Sequence, residues 1–220
     1  MRGVFDIVGP VMIGPSSSHT AGAVRLGLMA GRILGEKAVQ AEILLHGSFA
    51  RTYRGHGTDK ALIGGIMGFE PEDGRLREAL DIATEDGLRY SFQTVDIPEA
   101  HPNTAVLILT GEKGRRVRVE GASIGGGSIC ISRIGDFEVY LTGRYPALVV
   151  VQKDRPGVIN MVTTVLARYK INIAYMKVSR KIRGQDAMMI LETDEELPTE
   201  VVKACSEIPQ ILKAFAIPAI

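Results

Sequence analysis

The feature that most narrows the possible folds is an alternation of strand and helix periodicity through residues 147–217. Ala147-Leu148-Val149-Val150-Val151 is a β-branched run of strand length. Asp154-Arg155-Pro156-Gly157 follows, and Pro156 suits the first position of a helix, where a missing N–H leaves nothing unsatisfied. Val158, Val162, Val165, Leu166 and Tyr169 then recur at helical spacing and form one apolar face. Ile171 to Val178 predicts a strand, Lys181-Ile182-Arg183-Gly184 a turn, and Ala187 to Leu191 a second strand. Pro198 opens a further helix carrying Val201, Val202, Cys205 and Ile208, and Ile211 to Ile217 closes the series as a strand. The order βαββαβ within roughly 75 residues is the ferredoxin-like pattern.

A chain of 220 residues holds one or two domains. The expected break is Thr142-Gly143-Arg144-Tyr145-Pro146, where Gly and Pro punctuate two strand-like runs, giving domains 1–142 and 143–220. The predicted class is α+β, with a mixed α/β N-terminal domain preceding the βαββαβ unit. All four histidines lie before the break, which directs the search for chemistry to the first domain.

The run Val149-Val150-Val151-Gln152-Lys153-Asp154-Arg155-Pro156-Gly157-Val158-Ile159, with Ile171-Asn172-Ile173-Ala174 downstream, resembles the ACT-domain family. Such domains are regulatory modules, many of which bind amino acids. A loop entering a helix offers backbone N–H groups to a carboxylate. On this reading Asp154, Pro156, Gly157, Val158 and Asn172 form an effector site. Asp154 would take an ammonium, and Asn172 would supply a donor and an acceptor. The competing reading has Asp154 and Asn172 satisfying local backbone groups.

In the first domain the strongest signal is Gly14-Pro15-Ser16-Ser17-Ser18-His19-Thr20-Ala21-Gly22, at the mouth of an apolar helix expected to run to about Leu34. Hydroxyl side chains are good helix caps, yet five consecutive hydroxyl or imidazole groups exceed what one cap needs. No Asp or Glu balances the positive end of the helix. Those features together describe an anion site with His19 placed to move a proton. Gly22, Gly27 and Gly31 leave the helix thin on one side, so that another backbone can pack closely.

The other histidines sit at similar junctions. His46-Gly47-Ser48 ends the strand Ile43 to Leu45, Gly55-His56-Gly57-Thr58-Asp59-Lys60 leads into a helix over Ala61 to Met67, and His101-Pro102-Asn103-Thr104 precedes the strand Ala105 to Leu109. Strand ends beside Gly or Pro are where α/β-type folds gather catalytic groups. Asp59 reads first as a helix cap. Ser123-Ile124-Gly125-Gly126-Gly127-Ser128 is either an anion cradle or a tight bend. Motifs for a dinucleotide fold, a nucleotide phosphate loop and a nucleophile elbow are all missing.

The order Gly14-Pro15-Ser16-Ser17-Ser18-His19-Thr20, Ser48, Gly55-His56-Gly57-Thr58-Asp59-Lys60 and His101-Pro102-Asn103-Thr104 resembles the β chain of bacterial iron–sulfur L-serine dehydratases, a family that also carries a C-terminal ACT domain. The resemblance implies an L-serine ammonia-lyase giving pyruvate and ammonia. It assigns Ser16, Ser17, Ser18, His19, Thr20, His101 and Asn103 to catalysis, and Ser48, His56, Thr58 and Asp59 to substrate binding. Either His19 or His101 would assist proton transfer. The family's cofactor is a [4Fe–4S] cluster, which needs about three or four thiolates. Cys130 and Cys205 alone, in apolar surroundings and without metal-ligand spacing, read as reduced core thiols. The implied cluster therefore belongs to a separate cysteine-bearing α chain, with no metal on this one. Its open iron would act as a Lewis acid on the leaving hydroxyl. Expected partners are this α chain, L-serine, an amino-acid effector at the ACT domain and a second copy in a homodimer. The alternative is a non-catalytic amino-acid-binding regulatory subunit, and a third reading is a stand-alone sensor. A net charge of +1 and 5% aromatic residues with no Trp argue against nucleic acid. The absence of a secretory signal and of an ~18-residue apolar run leads us to expect a cytoplasmic chain without membrane contact.

Overall fold

The computed structural model describes residues 16–220, so Gly14 and Pro15 of the seryl motif lie outside the described residues. The chain divides into two compact units, residues 1–135 and 136–220. The strand just before Thr142-Gly143 thus falls in the second unit.

The first unit runs α1 (Ala21–Leu34), β1 (Ala38–Leu45), α2 (Gly47–His56), α3 (Thr58–Ile66), a 3-10 turn (Gly74–Glu78), α4 (Ala79–Glu85), β2 (Arg89–Thr94), β3 (Thr104–Gly111), β4 (Arg116–Gly125) and β5 (Ser128–Ile134). Its strands lie in the order β2-β1-β3-β4-β5. Only β1–β2 is a parallel pair, and the helices between them provide the crossover that such a pair requires. Helix α1 buries 11 of its 14 residues, because it lies between the sheet and α3. A helix apolar on every side needs that kind of enclosure. Its glycines allow the close approach: a Cβ at Gly27 would stand 2.2 Å from the Leu62 carbonyl oxygen, and one at Gly65 would stand 2.0 Å from that of Val24. The stretch 123–128 proves to be a bend, with Gly126 and Gly127 both at positive φ between paired Gly125 and Ser128.

The second unit runs β6 (Phe137–Leu141), β7 (Ala147–Lys153), α5 (Val158–Arg168), β8 (Ile173–Arg180), β9 (Asp186–Thr193), α6 (Thr199–Ser206) and β10 (Ile211–Ile217). Strands β7 to β10 form an antiparallel sheet in the order β10-β7-β9-β8, with βαββαβ connectivity. Leu148, Val150, Met189 and Leu191 pack under Val162 and Leu166 of α5 and Val201 of α6. Strand β6 lies against β8, where the Ser179 hydroxyl donates to the Glu138 carbonyl.

Two expected boundaries move. Helix α5 starts at Val158 and not at Pro156, because Arg155-Pro156-Gly157-Val158 is a β-turn with Gly157 at φ 88° and Val158 N–H donating to Arg155 O at 3.4 Å. Strand β8 starts at Ile173, since Ile171 is still tied back to Leu166 O of the helix end. Among the described residues, no helix is long and apolar enough to cross a membrane.

Candidate active site

His19 stands just before α1, in a turn closed by Thr20 N–H on Ser16 O (2.8 Å) and Gly22 N–H on Ser17 O (2.9 Å). Those bonds use backbone donors that the sequence offered to an anion. The side chains are freer. Thr20 makes no capping bond, and no acidic residue occupies the first turn of α1.

The imidazole bridges two serines, with Nδ1 3.3 Å from Ser16 Oγ and Nε2 3.2 Å from Ser48 Oγ. Ser48 is the second residue of α2, and its N–H donates to Pro102 O at 2.7 Å. Gly47, at φ 58°, makes this possible: a Cβ there would stand 2.6 Å from Pro102 O. The first turn of α2 also lacks an acid. Two helix ends with no acidic residue in the first turn therefore meet at His19, although Pro102 O takes the N–H groups of both Ser48 and Phe49 at the start of α2. At α3, by contrast, Asp59 balances the first turn and accepts from Lys60 N–H at 2.9 Å. Burial pushes the Asp59 carboxyl above its ordinary range.

Around the imidazole, the Phe49 edge lies 5.3 Å away and the His56 ring 4.8 Å away, both between ring centroids. Burial first, and the charge of His56 second, hold the His19 ring below its ordinary pKa. The ring is consequently neutral at pH 7, with one nitrogen free to accept a proton. Thr20 Oγ1, His56 Nδ1, Thr58 Oγ1 and Ser123 Oγ are four of the six buried side-chain polar atoms without a protein partner among the described residues. Buried polar atoms are ordinarily paired, so such a group of orphans in and beside the His19 turn marks a place built for something else to bind.

The structure thus gathers Ser16, His19, Ser48 and His56, with Thr20 and Thr58 close in sequence to that group. Ser17 and Ser18 are half-buried beside it. His101 stays exposed, its Nδ1 accepting from Asn103 N–H at 3.1 Å, so its ring reads locally as a turn cap. Asn103 Nδ2 reaches Ser123 O at 3.5 Å, and Thr104 Oγ1 donates to His101 O at 2.7 Å. Sequence reasoning did not select Phe49 or the Ser123 hydroxyl. Ser123 gave one signal, a small polar residue on a strand leading into glycines. Its side chain sits against Gly22, where a Cβ would meet Ser123 Oγ at 2.1 Å.

The effector candidates do not converge within one chain. Asp154 Oδ2 accepts from Arg180 and from Gly184 N–H, both at 2.9 Å, and these contacts hold its carboxyl below the ordinary range. Asn172 Nδ2 donates to Asp194 at 2.6 Å. Arg180 ends β8 and Asn172 precedes it, so the two anchors stand eight positions apart along the strand, on the order of 25 Å. Pro156, Gly157 and Val158 form the turn described above.

The sequence holds two cysteines, fewer than the about three or four thiolates an iron–sulfur cluster takes. Cys205 is fully buried in the core of the second unit, and burial pushes its thiol up to about 11. Cys130 lies on β5 of the first unit.

A family model for the serine dehydratase beta chain matches residues 3–86, and one for the ACT domain matches residues 147–210. A probable L-serine dehydratase beta chain of Bacillus subtilis is 44% identical over 98% of both chains. This chain belongs to the serine dehydratase β-chain family. Within the family, the L-serine dehydratase beta chain of Peptoniphilus asaccharolyticus is 37% identical over 91% of this chain and 90% of its own length. The likeness extends to a D-3-phosphoglycerate dehydrogenase of Synechocystis, 26% identical over 89% of this chain but only 35% of that enzyme. The family models place the His19 site in the dehydratase segment, with the ACT domain as a separate element.

Proposed function

We propose that this chain is the β subunit of an L-serine ammonia-lyase whose [4Fe–4S] cluster is carried by a separate cysteine-bearing α chain. The observation that carries the reading is His19, neutral and bridging Ser16 and Ser48 where two acid-free helix ends meet. The overall reaction removes the α-proton and the β-hydroxyl of L-serine as water. The resulting 2-aminoacrylate tautomerises to an imine, which hydrolyses to pyruvate and ammonia. In this reading the seryl turn, with Thr20 and the ends of α1 and α2, holds the substrate carboxylate. His56 and Thr58 present further polar atoms without a partner among the described residues. His19 accepts or returns the proton at the substrate, and Phe49 keeps water from its ring face. That the sequence holds only two cysteines, one of them buried in the core of the second unit, supports placing the cluster on the partner.

We also infer that the ACT domain senses an amino acid. Asp154 and Asn172 sit at opposite ends of β8, so an effector held by both would draw one from each of two copies in a homodimer. A second reading, a non-catalytic regulatory subunit, has one observation in its favour. The same two-part segment resembles part of dehydrogenases of different chemistry.

Turnover of L-serine to pyruvate by the complex with its α chain, assayed without oxygen, separates the readings. His19→Ala should lower kcat by ~100-fold or more with little change in KM. Unchanged turnover by that variant, or full activity of the α chain alone, would establish the regulatory reading.

A further inference from the structure

Helix α2 begins without a cap of its own. His46, at its N-cap position, makes no side-chain capping bond. The donors of the first turn go instead to Pro102 O, which takes Ser48 N–H at 2.7 Å and Phe49 N–H at 3.4 Å. The first N–H groups of a helix have no partner within it, so a carbonyl from a distant part of the chain serves as the cap. Pro102 belongs to the loop of residues 95–103 between β2 and β3. Where that loop lies therefore sets where α2 starts. It also sets where the Ser48 hydroxyl stands, 3.2 Å from His19 Nε2.

The His46 ring reaches the same loop. Its Nδ1 accepts the Ile97 N–H at 3.1 Å. A ring nitrogen that accepts carries no hydrogen, so the imidazole is the tautomer with its hydrogen on Nε2. Asp96 Oδ1 lies 3.5 Å from the same nitrogen, but in this tautomer both atoms are acceptors, and the Asp96 side chain is exposed. Ile97 N–H is thus the partner that Nδ1 holds. The His46 side chain is only 14% exposed, so water competes poorly for that bond. The main chain of His46 is fixed as well, its N–H donating to Thr104 O at 3.0 Å. Residues 46–49 accordingly hold the loop and the strand it enters at three points: Ile97, Pro102 and Thr104.

The loop needs the first of these. Its ends are secured by Val95 N–H on Leu45 O at 2.9 Å and by Ser123 N–H on Asn103 O at 3.1 Å. Between them, among the described residues, the Ile97 bond is the one hydrogen bond supplied by a side chain from outside the loop. Ile97 O also closes a turn on Ala100 N–H at 3.2 Å, with Glu99 at φ 61°. Glycine or asparagine adopts that conformation more easily than glutamate, and such strain persists only where the surroundings hold it. We propose that His46 is a positioning residue, whose Nδ1 fixes the β2–β3 loop so that Pro102 O caps α2 and brings Ser48 to His19. Its bearing on turnover rests on the function proposed above; the tie itself does not.

Amide hydrogen exchange followed by NMR on the full chain reads the tie apart from the reaction. His46→Leu removes the acceptor and should speed exchange at Ile97, Ser48 and Phe49 by about tenfold or more. His46→Asn, whose side-chain oxygen can stand where Nδ1 stands, should slow Ile97 again. Unchanged exchange at Ile97 in His46→Leu would overturn the proposal, as would a faster Ile97 with Ser48 and Phe49 unmoved. The wild type decides independently of any variant's folding: an imidazole nitrogen spectrum at mildly alkaline pH should place the His46 hydrogen on Nε2, and a hydrogen on Nδ1 would refute the tie. In the complex with its α chain, His46→Leu should lower kcat by about tenfold at nearly constant KM, but by less than about twofold when Ser48 is already alanine. Equal losses in both backgrounds would rule out action through Ser48. Turnover indifferent to Ser48→Ala, beside the expected exchange, would count against the proposed function while upholding the tie.

Discussion

Replacing Gly27 by alanine tests the link between helix packing and the site most directly. A Cβ at this position would lie 2.2 Å from Leu62 O and 2.9 Å from Ile66 N, and real Cβ contacts essentially never fall below 3.0 Å. Both neighbours are backbone atoms, so no side chain can swing aside. Helices α1 and α3 must therefore part by at least about 0.8 Å along that direction. Overpacking of this kind costs roughly 1–3 kcal/mol, and the better helix propensity of alanine returns roughly 0.5–1 kcal/mol. A net loss of about 1–2 kcal/mol corresponds to a melting temperature lower by roughly 2–8 °C in a chain of this size. His19 sits at the tip of α1, so turnover by the complex should fall as well, by ~10–100-fold if the displacement reaches the site. Gly55→Ala is the control. It lies within α2 with nothing inside 4 Å of its added Cβ, and should hold or raise the melting temperature. Thermal denaturation followed by circular dichroism reads both. Gly27→Ala melting at or above the wild type would refute the packing argument whatever happens to activity.

Two further predictions concern titration. Because burial and the His56 charge keep His19 neutral, kcat/KM should fall only on the acid side of the ordinary histidine range. His56→Gln should move that acid limb to higher pH, and an unmoved limb would remove His56 from the electrostatics of the site. The same shift enters stability. The unfolded imidazole protonates near 6.5 and the folded one only at lower pH, so this contribution is complete above 6.5 and is lost as the pH falls below it. Melting curves of wild type and His19→Gln should accordingly converge on acidification. For Cys205, with its buried thiol pushed up to about 11, a thiol reagent at pH 8 should react only as fast as the protein unfolds. Rapid native labelling of that residue would contradict its burial.

Much of the fold was legible because periodicity and packing agree. Helix α1, strand β10 and the βαββαβ order all follow from apolar spacing, and the glycines of α1 announced a close neighbour that proves to be α3. Helix α2 was not legible. Gly47-Ser48-Phe49-Ala50-Arg51-Thr52-Tyr53-Arg54-Gly55-His56 buries only Phe49, and its start depends on Pro102 O, more than fifty residues away in sequence. That same distant contact places Ser48 against His19, so the pairing of these two residues could not be read from local pattern. The histidines were visible as candidates, but what separates His19 from His101 is burial: one is enclosed between helix ends, and the other is exposed with its Nδ1 held by its own loop. Asp154 shows the converse, a residue whose motif suggested a ligand and whose carboxylate has partners of its own, Arg180 and Gly184.

The serine–imidazole–serine arrangement has a consequence for how charge moves. A neutral ring between two hydroxyls can take a proton at one nitrogen as it releases another from the opposite nitrogen, changing tautomer without becoming a cation. Surroundings that make a buried imidazolium costly therefore do not block conduction of a proton between Ser48 and Ser16. Each passage leaves every O–H and N–H dipole along the line reversed. The line must then turn over before it can conduct again in the same direction.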